Sequence, residues 1–157
     1  MRKSTLTVIG AFIAAGILAA TAFASPSKPT VALHKTKVGN ALVAANGHTV
    51  YLFTADKGSK SACYGQCASA WPPLIAAKPT AGAGLKASKL GTTKRSDGKL
   101  QVTYGGHPLY LFTGDKQPGD ANGQGVSAFG AAWFALSTKG SQVSGTASQS
   151  GGGNAGY

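Results

Sequence analysis

The stretch GHTVYLFTADK at residues 47–57 returns as GHPLYLFTGDK at 106–116, 59 positions further on, with eight of the eleven residues identical. A segment that recurs in a chain this short constrains the fold strongly, because the same residues in the same order build the same supersecondary unit twice. The similarity reaches upstream, where Gly39 and Val43 fall on Gly98 and Val102. It continues more loosely downstream, where Gly65-Gln66 resembles Gly123-Gln124 and Trp71 has a counterpart in Trp133. Two copies are too few for a solenoid. They are expected to form a pseudo-symmetric pair whose apolar faces cover each other within one small domain.

Each copy carries a hairpin signal. ALVAA precedes Asn46-Gly47 and HTVYLF follows; LQVTY precedes Gly105-Gly106 and HPLYLF follows. Asn-Gly and Gly-Gly both suit a two-residue primed turn, which needs positive φ. Leu100, Val102 and Tyr104 alternate with Gln101 and Thr103, the pattern of a strand with one buried face. Ser96-Asp97-Gly98 marks a further turn, so 91–95 is read as another strand of a meander and 131–137 as one more. Only 61–71 suggests a short helix, near the cysteines. The fold class is therefore mainly β, built of two antiparallel hairpin and meander repeats. Repeat 1 is placed at 39–75 after an N-terminal segment at 25–38. A linker at 76–90, AAKPTAGAGLKASKL, leads to repeat 2 at 91–137.

The two ends read differently. Arg2 and Lys3 precede an apolar run from Leu6 to Ala20 and a small-residue site at Ala22-Phe23-Ala24, the three parts of an export signal cleaved after Ala24. Residues 138–157 are rich in Gly and Ser and are expected to form a disordered tail, because they offer little apolar surface to offset the entropy of ordering. What remains is roughly 110 residues, enough for one core. Losing Arg2 and Lys3 reduces the formal charge of +11 to +9, and the only acids are Asp56, Asp97, Asp115 and Asp120. Such a field attracts anionic wall polymers or a membrane surface. Scattered single lysines and the lack of a recognition helix argue against nucleic acid.

Tyr51-Leu52-Phe53-Thr54-Ala55-Asp56 and Tyr110-Leu111-Phe112-Thr113-Gly114-Asp115 fit a Y-x-[FWY]-x-x-D pattern. Together with SACYGQCASAWPPL at 61–74, they resemble the bacterial secreted or lipoprotein repeat family of unknown function. The resemblance implies an extracytoplasmic location and a repeat architecture, with no activity to transfer. Many members are lipid-anchored. Neither Cys63 nor Cys67 lies at the cleavage site, so this chain is not expected to be lipid-anchored.

On a strand, Tyr51 and Phe53, like Tyr110 and Phe112, share a face, while Asp56 and Asp115 fall just past the strand end. A short carboxylate there commonly accepts N–H groups one to three residues on, which makes the two acids loop-fixing groups. Cys63 and Cys67 are the only cysteines and are expected to form an intrachain disulfide in an oxidising compartment. His48 and His107 follow the two hairpin turns at equivalent positions. With the cysteines they would make a soft site for copper or zinc, although the spacing matches no common zinc motif. Asp115, Asp120, Asn122 and Gln124 resemble half of a calcium loop, which lacks a closing acid because position 131 is Ala.

No nucleophile elbow, phosphate loop or HExxH motif is present, so no enzyme activity and no cofactor are expected. The favoured reading is a secreted, envelope-associated binding or structural protein. The alternative is an extracytoplasmic redox or metal-handling protein, related to copper or heme, that uses Cys63, Cys67, His48 and His107. A hydrolase with Asp56 and Asp115 as an acid/base pair is the weakest reading, since no neighbour in sequence tunes either carboxyl.

Overall fold

The computed structural model describes residues 28–145. The expected signal segment and cleavage site, and tail residues 146–157, lie outside the described residues. The fold is mainly β. Strands β1 (Val31–Thr36) and β2 (Gly39–Ala44) form an antiparallel hairpin, as do β4 (Leu90–Lys94) and β5 (Leu100–Tyr104), with β6 (His107–Pro108) added to the second. The third sheet contains β3 (Tyr51–Phe53), β8 (Ala131–Ala135) and β7 (Ser127–Ala128), in that order. Helix α1 (Gln66–Ala70) sits at the cysteines, as expected.

The two copies exchange strands across a pseudo-twofold axis. Tyr51 and Tyr110, the same residue of each copy, face each other as an antiparallel pair, with Tyr51 N–H donating to Tyr110 C=O at 2.8 Å and Tyr110 N–H to Tyr51 C=O at 3.0 Å. Equivalent residues can exchange both bonds only where a twofold passes between them. On either side the pairing is reciprocal. Thr54 N–H reaches Ala132 C=O at 3.0 Å, just before Trp133, and Thr113 N–H reaches Ala70 C=O at 3.1 Å, just before Trp71. The Tyr-Leu-Phe strand of each repeat thus lies against the post-tryptophan segment of the other.

The offset of 59 is not constant along the chain. Val50 N–H donates to Leu42 C=O and Leu109 N–H to Val102 C=O; Leu42 N–H meets Leu136 C=O and Val102 N–H meets Leu74 C=O. The counterpart of Val102 is therefore Leu42, not Val43, and the offset through β2 and β5 is 60. Turn lengths explain the slip. Thr36 pairs with Gly39 around two residues, whereas Arg95 bonds to Lys99 around three. At the next turn the lengths are reversed: Ala44 N–H reaches His48 C=O around three residues, and Tyr104 pairs with His107 around two. The inserted residues compensate, so the register is the same before and after each hairpin and wrong only inside it.

This also corrects one of the two expected turns. Gly105 and Gly106 have φ of 60° and 87°, as a primed turn requires, but in the first copy only Gly47 is positive, at 84°. The 45–47 turn matches the three-residue form that closes on a left-handed glycine.

Three boundaries also shift. β1 falls within the expected N-terminal segment and completes repeat 1 by pairing along its whole length with β2, although exposed His34 and Lys35 break its alternation. Residues 76–90 are not a free linker: Gly82 N–H bonds to Val31 C=O and Val31 N–H to Thr80 C=O. Residues 138–145 are not a disordered tail. Val143 N–H bonds to Ala135 C=O, Val143 packs on the core, and Gln124 Nε2 donates to Val143 and Gly145 carbonyls at 2.7 and 2.9 Å. One valine and a glutamine fork anchor what composition alone marks as unstructured.

Two apolar clusters result. One gathers Val31, Leu42, Val50, Val102, Leu109 and Leu136 between the hairpins; the other holds the aromatic residues around the axis.

Candidate functional site

The strand exchange brings the motif residues of both copies together. Trp71 and Trp133 stack at the axis with ring centres 4.0 Å apart and planes within 4°. Phe53 stacks on Trp133 at 4.0 Å and Phe112 on Trp71 at 4.1 Å, so each phenylalanine covers the tryptophan of the other copy in a column of four rings. Tyr51 meets Trp71 edge-on at 5.4 Å and Tyr110 meets Trp133 edge-on at 5.1 Å. Stacked and edge-on contacts both suit the ring quadrupole, and both tryptophans are buried.

The hydroxyls at the edges of this column are also crossed. Tyr51 Oη donates to Asp115 Oδ2 at 2.7 Å, and Tyr110 Oη donates to Asp56 Oδ2 at 2.9 Å. The second oxygen of each carboxylate fixes its own loop: Ala62 N–H donates to Asp56 Oδ1 at 2.7 Å and Asn122 N–H to Asp115 Oδ1 at 2.8 Å. The acids do accept loop amides, but six and seven residues on rather than one to three. Their other partner is the motif tyrosine of the opposite copy. Packed against this site, Gly123 N–H reaches Tyr51 Oη at 3.3 Å, and a β-carbon at Gly123 would stand 2.8 Å from the Trp71 ring, so this position has no room for a side chain.

Burial raises both carboxyls. Asp56 is pushed up to about 6, with the Ala62 amide, the Tyr110 hydroxyl and the Arg95 charge only partly opposing desolvation. Asp115 is raised for the same reason, against the Tyr51 hydroxyl and the Asn122 amide. No sequence neighbour is the main cause of these shifts: the tuning comes from tertiary burial. Tyr51 and Tyr110 are raised far above the usual phenol range, by burial first and then by the adjacent carboxylates, with Ser61 also opposing the rise at Tyr110. Both stay protonated and act as donors. Asp120 moves the other way, to about 2, held by Lys37 Nζ at 2.8 Å and by the amides of Lys116 and Gln117.

These shifts give stability a pH dependence of known sign. A carboxyl whose folded pKa lies above its unfolded value binds its proton more tightly in the folded state, so its contribution is full below about pH 4 and lost as pH rises through 6. Melting temperature should fall between pH 4 and pH 6.5, and Asp56→Asn should flatten that slope. Asp120 contributes the opposite trend, losing stability as pH falls from about 4 toward 2. A wild-type melting temperature that rises steadily from pH 4 to 6.5 would contradict the assignment of Asp56.

Sequence reasoning missed Arg95. It is buried, with Nη1 donating to Gln101 Oε1 at 2.7 Å and to Ser61 Oγ at 2.9 Å, Nη2 to Cys63 C=O at 2.9 Å, and Nε to Asp97 at 3.2 Å. Ser61 Oγ also accepts from Tyr110 Oη at 2.8 Å, so the guanidinium supports the Asp56 end of the site. Arg95 is the one arginine outside the expected signal segment, among many lysines. That contrast was a usable signal, because a planar fork is chosen where several acceptors must be met at once.

Cys63 and Cys67 form the expected disulfide, with Cα atoms 5.3 Å apart at the start of α1. Neither offers a thiolate to a metal, and the described residues contain no group of three or more His, Cys, Asp or Glu able to hold one. His48 and His107 are half-buried, each following its hairpin turn. They form no such group with the cysteines, which corrects the copper or zinc set. The calcium arrangement is corrected as well. Asp115 and Asp120 are taken up as above, Asn122 Nδ2 donates to Gly114 C=O, and Gln124 Oε1 accepts Ala135 N–H. Nor are Gly65-Gln66 and Gly123-Gln124 equivalent: Gly65 has φ of 55° with open space around it, whereas Gly123 is packed against Trp71.

A cleft of about 330 Å³ opens beside Asp56, lined by Leu52, Phe53, Thr54, His107, Ser141 and Gln142. It offers one carboxyl, one imidazole and neutral donors and acceptors beside a phenylalanine.

No curated protein and no solved structure matches this chain. A family model described as a secreted repeat of unknown function matches residues 32–75 and 91–137, more than half of the chain. Those two segments contain the crossed tyrosines, carboxylates and stacked rings described above, and the chain accordingly belongs to this family of secreted repeats, with two copies interlocked in a single fold.

Proposed function

We propose that this protein is exported with cleavage after Ala24 and works at the cell envelope as a non-enzymatic binding or structural module for anionic surfaces, either wall polymers or lipid headgroups. The observation that carries this reading is how the charge is sorted. Of the four acids, only Asp97 is exposed, while Asp115 and Asp120 are buried and Asp56 half-buried; every lysine of residues 28–145 except Lys89 is exposed. The fold turns its carboxylates inward to hold the two repeats together and presents a positive surface almost without interruption. Such a surface attracts polyanions over a range set by salt. The motif acids support the same reading, since all four of their oxygens are engaged in the crossed network and its loop amides.

The test uses the secreted protein. Its mass should start at Ser25, and it should pellet with purified anionic wall polymer or with anionic vesicles at about 50 mM salt and be released by about 500 mM. A secreted form that keeps residues 1–24, or binding to neither surface at low salt, would contradict the proposal.

A further inference from the structure

The β7–β8 hairpin departs from the turn chemistry used elsewhere in the chain. Ala128 pairs with Ala131, which leaves Phe129-Gly130 as a two-residue turn with φ of 56° and 87°. Both angles are positive, the shape that favours Asn, Asp or Gly. Phe129 is the only non-glycine residue with positive φ among the described residues, and the comparable turn between β5 and β6 uses Gly105-Gly106. A bulky side chain in this region is strained. Burial does not compensate, because Phe129 is 48% exposed, more than any other large apolar side chain described. The hairpin thus holds an aromatic ring in water at a conformational cost.

Two exposed lysines follow the strand that pairs with β8. β3 runs antiparallel to β8, so the chain leaving β3 at Thr54, bonded to Ala132, emerges at the end of the sheet where the Phe129 turn projects. The turn that follows is closed by mutual amide–carbonyl bonds between Lys57 and Lys60 at 3.2 and 3.1 Å, and both lysines are exposed. Asp56 lies in the same turn but is directed to the Tyr110 hydroxyl and the Ala62 amide.

We propose that this end of the sheet is a membrane-docking tip, with Phe129 inserted in the interface of an anionic bilayer and Lys57 and Lys60 against its headgroups. The inference rests on the anionic-surface reading above and narrows it to lipid. A polyanionic wall polymer satisfies the lysines but supplies no apolar phase for the ring, whereas the bilayer interface accepts both.

The test measures binding of the secreted protein to vesicles of phosphatidylglycerol and phosphatidylcholine, and to vesicles of phosphatidylcholine alone. Wild type should bind the anionic vesicles only. Phe129→Asn places a favoured residue in the turn, so its melting temperature should rise by a few degrees while vesicle affinity falls about five- to tenfold. Lys57→Gln with Lys60→Gln should weaken binding about tenfold at low salt without that rise. Unchanged vesicle affinity in Phe129→Asn overturns the proposal. Wild type that pellets with wall polymer but not with anionic vesicles also overturns it and leaves the broader reading standing; binding to neither removes both. Loss of a protein partner in Phe129→Asn, with vesicle binding intact, would reassign the tip to a protein contact.

Discussion

Trp133→Ala is expected to cost about 4 kcal/mol of stability and to abolish a cooperative transition near the wild-type melting temperature. The ring is fully buried, stacked on Phe53 and Trp71 and met edge-on by Tyr110, so its removal opens the centre of the column to rings from both repeats. The matching control is Phe134→Ala on the same strand. Phe134 is half-buried and packs outside the column, so its loss should cost less than half as much. Chemical denaturation of both variants checks this, and equal losses would mean that the column is no more than ordinary core.

Arg95→Met should cost about 3 kcal/mol, because it leaves the buried Gln101 side-chain oxygen without its donor and takes one donor each from the Cys63 carbonyl and Ser61. Arg95→Lys should recover little of this, since an ammonium cannot reproduce the fork. A spectroscopic readout accompanies the loss. The Arg95 charge holds Asp56 down against desolvation, so in Arg95→Met the Asp56 carboxyl should titrate above its value of about 6. Carbon-13 shifts of the Asp56 side chain follow that change, and an unmoved titration would separate Arg95 from the site.

The sequence made much of this fold legible, and its limits have physical causes. Repetition of the Tyr-x-Phe-x-x-Asp segment located both motif strands, and the Gly105-Gly106 turn was read from residue chemistry alone. The exchange of partners was not readable. Tyr51 and Asp56 are five residues apart, and no local spacing tells that the hydroxyl of Tyr51 belongs to Asp115. The register slip in β2 and β5 was hidden for a related reason: two turns of unequal length compensate, so similarity on both flanks suggests a constant offset where hydrogen bonding shows otherwise. β1 escaped because His34 and Lys35 are exposed and interrupt its alternation. Residues 138–145 were obscured by composition, which cannot register that one valine has a core to pack on and that a distant glutamine will bind its carbonyl.

The disulfide followed from compartment and count, and the structure adds its context. Cys63 is buried, and its carbonyl is one of the acceptors of Arg95, so the staple and the guanidinium fix the same corner of the Asp56 loop.

At the centre of this account is the claim that the two repeats are locked crosswise, each motif tyrosine holding the carboxylate of the other copy. Double-mutant cycles on unfolding free energy test it most directly, using Tyr51→Phe, Tyr110→Phe, Asp56→Asn and Asp115→Asn. The crossed pairs Tyr51/Asp115 and Tyr110/Asp56 should each show a coupling of about 1 to 3 kcal/mol, the range for hydrogen bonds to a charged, buried acceptor. The same-copy pairs Tyr51/Asp56 and Tyr110/Asp115 should couple by less than about 0.5 kcal/mol. Coupling within copies and none across them would contradict the interlocked fold.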